Sequence, residues 1–249
     1  ALSRETLGSV DEPQYRSNHP GSLTTVIPIA LLQSDLELTQ ADTDRLGAEA
    51  VALTHGEPEA YLSGAALTHL MCLLLREPDA PIAELVHQTV DAVGLQFSQG
   101  GKLWELLQLA LTLAVSPNVT AMEAMETLSC RTAAEVLAGA VYTVATCNRD
   151  FDTAMITAVN HSGRSSAVGA IAGATASSRV RMDMFGIIAC GSVAALGGGV
   201  TGEGRLHIRL DRGPDSGDAA EEFQADFLGS FLCLPVIHAG LEDQRDLLI

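Results

Sequence analysis

Asn160-His161-Ser162-Gly163-Arg164-Ser165-Ser166-Ala167-Val168-Gly169-Ala170-Ile171-Ala172-Gly173 divides into two parts of different character. Asn, His, Ser and Gly crowd its first half, and such residues favour a turn. Its second half is a run of small residues with Val168 and Ile171 interspersed, and alanine is the strongest intrinsic helix former. The segment therefore reads as a polar turn that opens a helix. Small side chains let such a helix approach its neighbours closely, which implies a domain made of packed helices.

Reading outward supports that fold class. Phe151, Ala154, Met155, Ala158 and Val159 form an apolar stripe just upstream. Thr132 with Glu135 three places on makes a capping box, and Val136, Ala140 and Val144 follow at helical spacing. Leu103 to Val115 is apolar on nearly all sides, which predicts a central helix, with Trp104 as a core anchor. Ile82, Leu85, Val86, Val90 and Val93 define a stripe restarted by Asp79 and Pro81. Leu62, Ala66, Leu70, Leu73 and Leu74 define another, after the break at Gly56-Glu57-Pro58. Thr39-x-x-Asp42 starts a helix with Leu46, Ala50 and Leu53 on its inner face. A short apolar segment covers Val26 to Leu32, and residues 1–22 are polar and turn-rich.

Downstream of about Thr175 the pattern changes. Met182 to Leu196 reads as a buried helix ended by Gly197-Gly198-Gly199. Arg205 to Leu210 alternates charged and apolar residues and is the one strand-like signal. Asp211 to Asp218 reads as a polar loop, and Ala219 to Leu234 as a final helix. The expected architecture is an all-α, orthogonal multi-helix domain over 1–249. It carries a Gly-rich insert at about 176–226 with room for one short strand.

Composition narrows the function. Of 249 residues, 47% are hydrophobic and 4% aromatic, so a large core must be built from Ala, Leu and Val. The formal net charge is −17, from 31 acidic and 14 basic residues. Such a surface repels phosphate backbones and anionic lipid, which argues against nucleic-acid and membrane partners. The apolar run from Phe185 to Leu196 is too short to span a bilayer, and no signal-peptide pattern stands at the start. Five scattered cysteines without a C-x-x-C pair read as reduced, packed thiols and hence a cytoplasmic setting. No nucleophile-elbow, H-E-x-x-H or Walker motif occurs.

The segment at 160–173 resembles the signature of the ADP-ribosylglycohydrolase family, in which an Asn-His-x-Gly turn leads into Asp-Ser-Asp and a Gly/Ala-rich helix. Other stretches match in the same order. Ser17-Asn18 through Gly21-Ser22 to Pro28 resembles the loop preceding the family's Met-Arg-Val-Ala-Pro segment. Thr54-His55-Gly56-Glu57-Pro58-Glu59-Ala60-Tyr61 resembles a family helix start, as does Asp150-Phe151-Asp152. Leu241-Glu242-Asp243-Gln244-Arg245-Asp246-Leu247 resembles the closing turn. The resemblance implies a cleft holding two magnesium ions and cleavage of a glycosidic bond between ADP-ribose and a protein side chain. It also implies Asn18, Gly21, Ser22, Asn160, His161, Gly163, Arg164, Ser165 and Ser166 as ligand-binding positions.

The chain departs from that pattern where the chemistry is most demanding. Arg164-Ser165-Ser166 stands in place of Asp-Ser-Asp, Ala167 replaces a hydroxyl residue, and Thr24-Thr25 replaces Met-Arg. The family's Thr-Asp-Asp-Thr cluster has no counterpart upstream of Ser17. Magnesium requires oxygen ligands, and a guanidinium brings positive charge of its own. No metal is therefore expected at the positions of Arg164 and Ser166, and no cofactor, unless magnesium ligands have been relocated. Arg164 is either a solvated end to a small-residue helix or a fork-shaped donor for phosphate or carboxylate.

The opening of the insert, Arg179-Val180-Arg181-Met182-Asp183-Met184-Phe185-Gly186, resembles the family's first helix, and the insert is expected to pack in that helix's place. Asp215 and Asp218 are then candidates for the lost acidic pair, against a plain reading as a solvated loop. His161 is the catalytic candidate among the histidines; His55, His69 and His87 lack ligand spacing and read as structural. The expected function is that of an ADP-ribosylglycohydrolase-like hydrolase of an ADP-ribosyl or related N-glycosidic bond with a degenerate metal site. The alternatives are a non-catalytic member that binds a nucleotide-like ligand or protein partner, and a biosynthetic enzyme that reuses the cleft without metals. The partner is an ADP-ribose-like small molecule or an ADP-ribosylated protein.

Overall fold

The computed structural model describes residues 8–33, 37–97, 100–147, 150–179, 199–200, 205–209 and 222–226. The chain divides into two compact units, Ala1–Gly197 and Gly198–Ile249.

Among its described residues the first unit is all-helical. A 3-10 helix, Pro20–Val26, runs into α1 (Ile27–Leu32), followed by α2 (Gln40–Ala52), α3 (Pro58–Arg76), α4 (Ile82–Gln96), α5 (Gly101–Ala114), α6 (Ala121–Thr127), α7 (Ala133–Thr146), α8 (Phe151–Val159) and α9 (Ser165–Arg179). Capping side chains set many of the starts. Thr39 accepts from the Asp42 amide at 3.2 Å, and Asp150 accepts from that of Thr153 at 3.2 Å. Thr132 with Glu135 and Thr120 with Glu123 form complete capping boxes. The second of these starts α6, a short helix that apolar periodicity did not reveal.

Three helices form the centre. In α3 every residue from Ala60 to Leu74 is buried, in α7 from Val136 to Val144, and in α9 from Val168 to Ser178. These helices touch one another, and the rest wrap around them. Their buried hydroxyls are satisfied within the helix: Thr68 donates to the Gly64 carbonyl at 2.9 Å, Thr143 to Gly139 at 2.9 Å and Thr175 to Ile171 at 2.8 Å. Polar residues can therefore occupy positions inside the core.

Two sequence expectations within this unit are corrected. Helix α5 is not central: it buries a single stripe, Leu103, Leu107, Ala110 and Leu111, while Val115 just beyond it is 81% exposed. Trp104 is half-buried against the core. In α2 the inner face carries Thr43, Asp44, Gly47, Ala48, Val51 and Ala52, while Leu46 and Leu53 face outward at 41% and 42% exposure. Close approach to α3 explains the inversion. A methyl group on Gly64 would lie 2.6 Å from Val51 Cγ2 and 2.9 Å from the Gly47 carbonyl oxygen, and one on Gly47 would collide with the Thr68 hydroxyl. The seam admits no leucine. Asp44 is buried in it because its Oδ2 lies 2.7 Å from His69 Nδ1, and its Oδ1 accepts from Gln40 Nε2 at 2.7 Å.

The second unit contains an antiparallel sheet in the order β1 (Gly199–Val200), β2 (Arg205–Arg209), β3 (Glu222–Asp226). Gly199 pairs with His207, and Arg205 with Asp226. Residues 205–209 of the alternating segment are the strand they were read as, but that strand has two partners. Residues 222–226 form a strand where a helix was expected over Ala219–Leu234: the segment was read by its apolar content, and backbone pairing with β2 decides otherwise. The helix expected over Met182–Leu196 and the closing turn at 241–247 lie outside the described residues, as do Asp215, Asp218 and the packing proposed for the insert.

The seam between α2 and α3 makes a test of close packing. Gly64→Ala gains about 1 kcal/mol of helix propensity but inserts a methyl where none fits, at about 1–3 kcal/mol. Urea unfolding is expected to show net destabilisation. Gly94→Ala in α4, with nothing within 4 Å of the added carbon, is expected to be neutral or stabilising.

Candidate functional site

A cavity of about 460 Å³ opens between the 3-10 helix and the start of α9. His19, Pro20, Gly21 and Thr24 line one wall; Gly163, Arg164, Ser165, Ser166, Ala167 and Ala170 line the other.

Both walls use the same local device. His19 Nδ1 accepts a hydrogen bond from the Gly21 amide at 3.1 Å, capping the 3-10 helix. His161 Nδ1 accepts from the Gly163 amide, also at 3.1 Å. In each His-x-Gly turn the imidazole takes up an amide that the start of a helix would leave unpaired. The walls are then tied to a third element. The Ala133 amide of α7 donates to the Asn18 carbonyl at 2.8 Å, and the Arg164 amide donates to the Cys130 carbonyl at 2.8 Å.

The turn at Gly163 is the tighter of the two. A Cβ there would meet the Ser129 carbonyl oxygen at 2.5 Å and Cys130 Cβ at 2.8 Å. Ser129 and Cys130 have φ of 60° and 51°, a left-handed pair that costs non-glycine residues energy and persists only where the surroundings hold it. Glu126 braces the same turn, accepting from the Ser162 amide at 2.7 Å and its hydroxyl at 2.5 Å. Those bonds hold the Glu126 carboxyl below its usual range. Burial pushes the Cys130 thiol up to about 12, so it is inert at neutral pH. Cys72 and Cys147 are likewise buried and free, with burial raising both thiols; Cys190 and Cys233 lie outside the described residues.

Of the positions implied by the signature, Gly21, Gly163, Arg164, Ser165 and Ser166 come together at the cavity. Four others support it without lining it. Asn18 contributes its carbonyl, and Asn160 Nδ2 donates to the Ile156 carbonyl at 2.7 Å. Ser22 is buried, its hydroxyl without a hydrogen-bond partner. His161 has both ring nitrogens occupied, since Nε2 lies 3.0 Å from the Ala158 carbonyl as its donor. Burial lowers the His161 pKa, against the opposing pull of that carbonyl and of Glu126. His19 also lines the cavity and escaped the sequence reading, although the repeated His-x-Gly spacing was there to find; Thr24, named only as a departure from the family pattern, lines it too.

Arg164 supplies the positive charge of the cavity. Its Nε donates to the Arg131 carbonyl at 3.2 Å, and no ion pair to it occurs among the described residues. Among the described residues no carboxylate lines the cavity. Among the described residues no group of three or more His, Cys, Asp or Glu side chains is placed to share a metal. A guanidinium and two serine hydroxyls do not suit a pair of magnesium ions.

The other histidines among the described residues, His55, His69 and His87, fall away from the cavity lining. His69 pairs with Asp44, His87 Nε2 meets Gln108 Nε2 at 3.4 Å, and His55 Nδ1 meets the Thr54 hydroxyl at 2.7 Å. The His55 ring centroid lies 6.2 Å from that of His19. No helix among the described residues is long and apolar enough to cross a membrane.

Comparison with known families matches residues 2–184 to the family described as ADP-ribosylglycohydrolase. No curated protein matches the chain, and no solved structure does.

The lowered pKa of His161 fixes the sign of a pH effect. The unfolded chain takes up the proton near the ordinary value of 6.5, the folded chain only at lower pH. The stability contributed by the neutral ring is therefore full above about 6.5 and lost as pH falls through the folded value. Urea unfolding across pH 8 to 5 should show this loss, and His161→Asn, which keeps an acceptor for the Gly163 amide but cannot titrate, should show less of it.

Proposed function

The chain belongs to the ADP-ribosylglycohydrolase family, and from that premise we propose that its cavity receives an ADP-ribose-like anion without a magnesium pair. Arg164 supplies the charge that metals would otherwise supply. The observation that carries this reading is a guanidinium free of carboxylate partners among the described residues, lining a 460 Å³ cavity. Such a fork matches the oxygens of a phosphoryl group. It stands at the amino end of α9, where the helix dipole also favours negative charge. The hydroxyls of Ser165 and Ser166 add uncharged donors suited to phosphoryl or ribose oxygens.

This lining supports binding in preference to hydrolysis. Cleavage of a glycosidic bond needs an acid to protonate the leaving group and a base or metal to activate water. The described lining holds one titratable group besides Arg164, namely His19, and no carboxylate. The reading is therefore of a family member that recognises an ADP-ribosyl group, free or attached to a protein, through the old cleft.

A thermal shift experiment tests it. ADP-ribose at 100 times its Kd is expected to stabilise the protein by about 2.7 kcal/mol, and added magnesium should leave that shift unchanged. Arg164→Ala should weaken binding roughly tenfold or more. A shift that appears only with magnesium would overturn the metal-free reading.

A further inference from the structure

We propose that His19, rather than the signature residue His161, is the histidine that touches the ligand, donating a hydrogen bond from Nε2 to an oxygen of the bound anion. The inference rests on the cavity being an anion site, as argued above.

The two histidines differ in one respect. Each gives Nδ1 to a glycine amide two residues on, at 3.1 Å. His161 then spends Nε2 on the Ala158 carbonyl, and it does not line the cavity. The Nε2 of His19 has no hydrogen-bond partner among the described residues, and its exposed ring is part of the cavity wall. A neutral imidazole carries one proton. With Nδ1 accepting from the Gly21 amide, that proton resides on Nε2. Nε2 is thus a donor, and the turn that His19 caps holds its ring in orientation. The ligand contact pairs this donor with the permanent cation of Arg164, a combination suited to a phosphoryl oxygen next to a ribose hydroxyl.

His19→Asn separates capping from binding. The asparagine carbonyl can accept the Gly21 amide in an Asx turn, but the side chain has no second ring nitrogen. Calorimetric titration with ADP-ribose, and with inorganic pyrophosphate, is expected to show affinity at least about tenfold weaker than in the native chain, with the unfolding midpoint unchanged. Native-like affinity in His19→Asn, alongside loss in Arg164→Ala, overturns the His19 contact and leaves the anion site standing. If the native chain binds neither probe, both fall. Should His19→Asn fail to fold, nitrogen-15 NMR of the native histidines decides: the His19 Nε2 resonance must move on titration with ADP-ribose while Nδ1 stays, and an unmoved Nε2 overturns the contact.

Discussion

The cavity depends on the approach of Gly163 to the backbone of Ser129 and Cys130. No side chain larger than hydrogen fits there, and the Arg164 amide closes the contact by donating to the Cys130 carbonyl. That contact sets where α9 begins. It also explains why two consecutive non-glycine residues remain at φ of 60° and 51°: the Cys130 side chain is wedged beneath Gly139 of α7, and a left-handed pair is what turns the chain between α6 and α7 without displacing it. From this one join follow the position of the guanidinium, the orientation of the serine pair and the depth of the wall they form.

The same economy of volume governs the rest of the helical unit. Glycines and alanines on α2, α3, α7 and α9 bring backbones close together, and hydroxyls that would be orphaned in a tight core return to their own helix. Packing at short range leaves little freedom for the helices to slide, so the loops they carry are held with comparable accuracy. A binding wall made of two short turns gains from that rigidity, because neither turn is long enough to keep its own shape.

Much of the helical unit was legible in the sequence, and its errors have a common cause. Starts marked by Thr39 and Thr132 were readable because a cap is a local event between neighbouring residues, and the start at Asp150 through its likeness to a family helix start. The inner face of α2 was misread because large apolar residues were assumed to face inward. In a seam this close, only small residues and one paired carboxylate fit. Helix α5 looked central because it is rich in leucine, yet centrality falls to helices buried on every side, as α3 is. Of the site, Gly21 and Gly163–Ser166 were legible from the signature. His19 was passed over: its spacing to Gly21 repeats that of His161 to Gly163, but that its ring lines the cavity depends on how Pro20 and Gly21 bend back. Over 222–226 the expected helix gave way to β3, because strand pairing is a long-range event that periodicity cannot register.

The buried Asp44–His69 pair carries a consequence for how this protein can change over time. Replacing Asp44 alone leaves His69 Nδ1 without its partner inside the seam, and replacing His69 alone leaves the buried Asp44 carboxyl with Gln40 only, a heavier penalty than the pair's own net worth. Replacing both with apolar residues of similar bulk avoids that penalty. The two positions are therefore bound in strong epistasis, and related chains should carry both polar residues or neither.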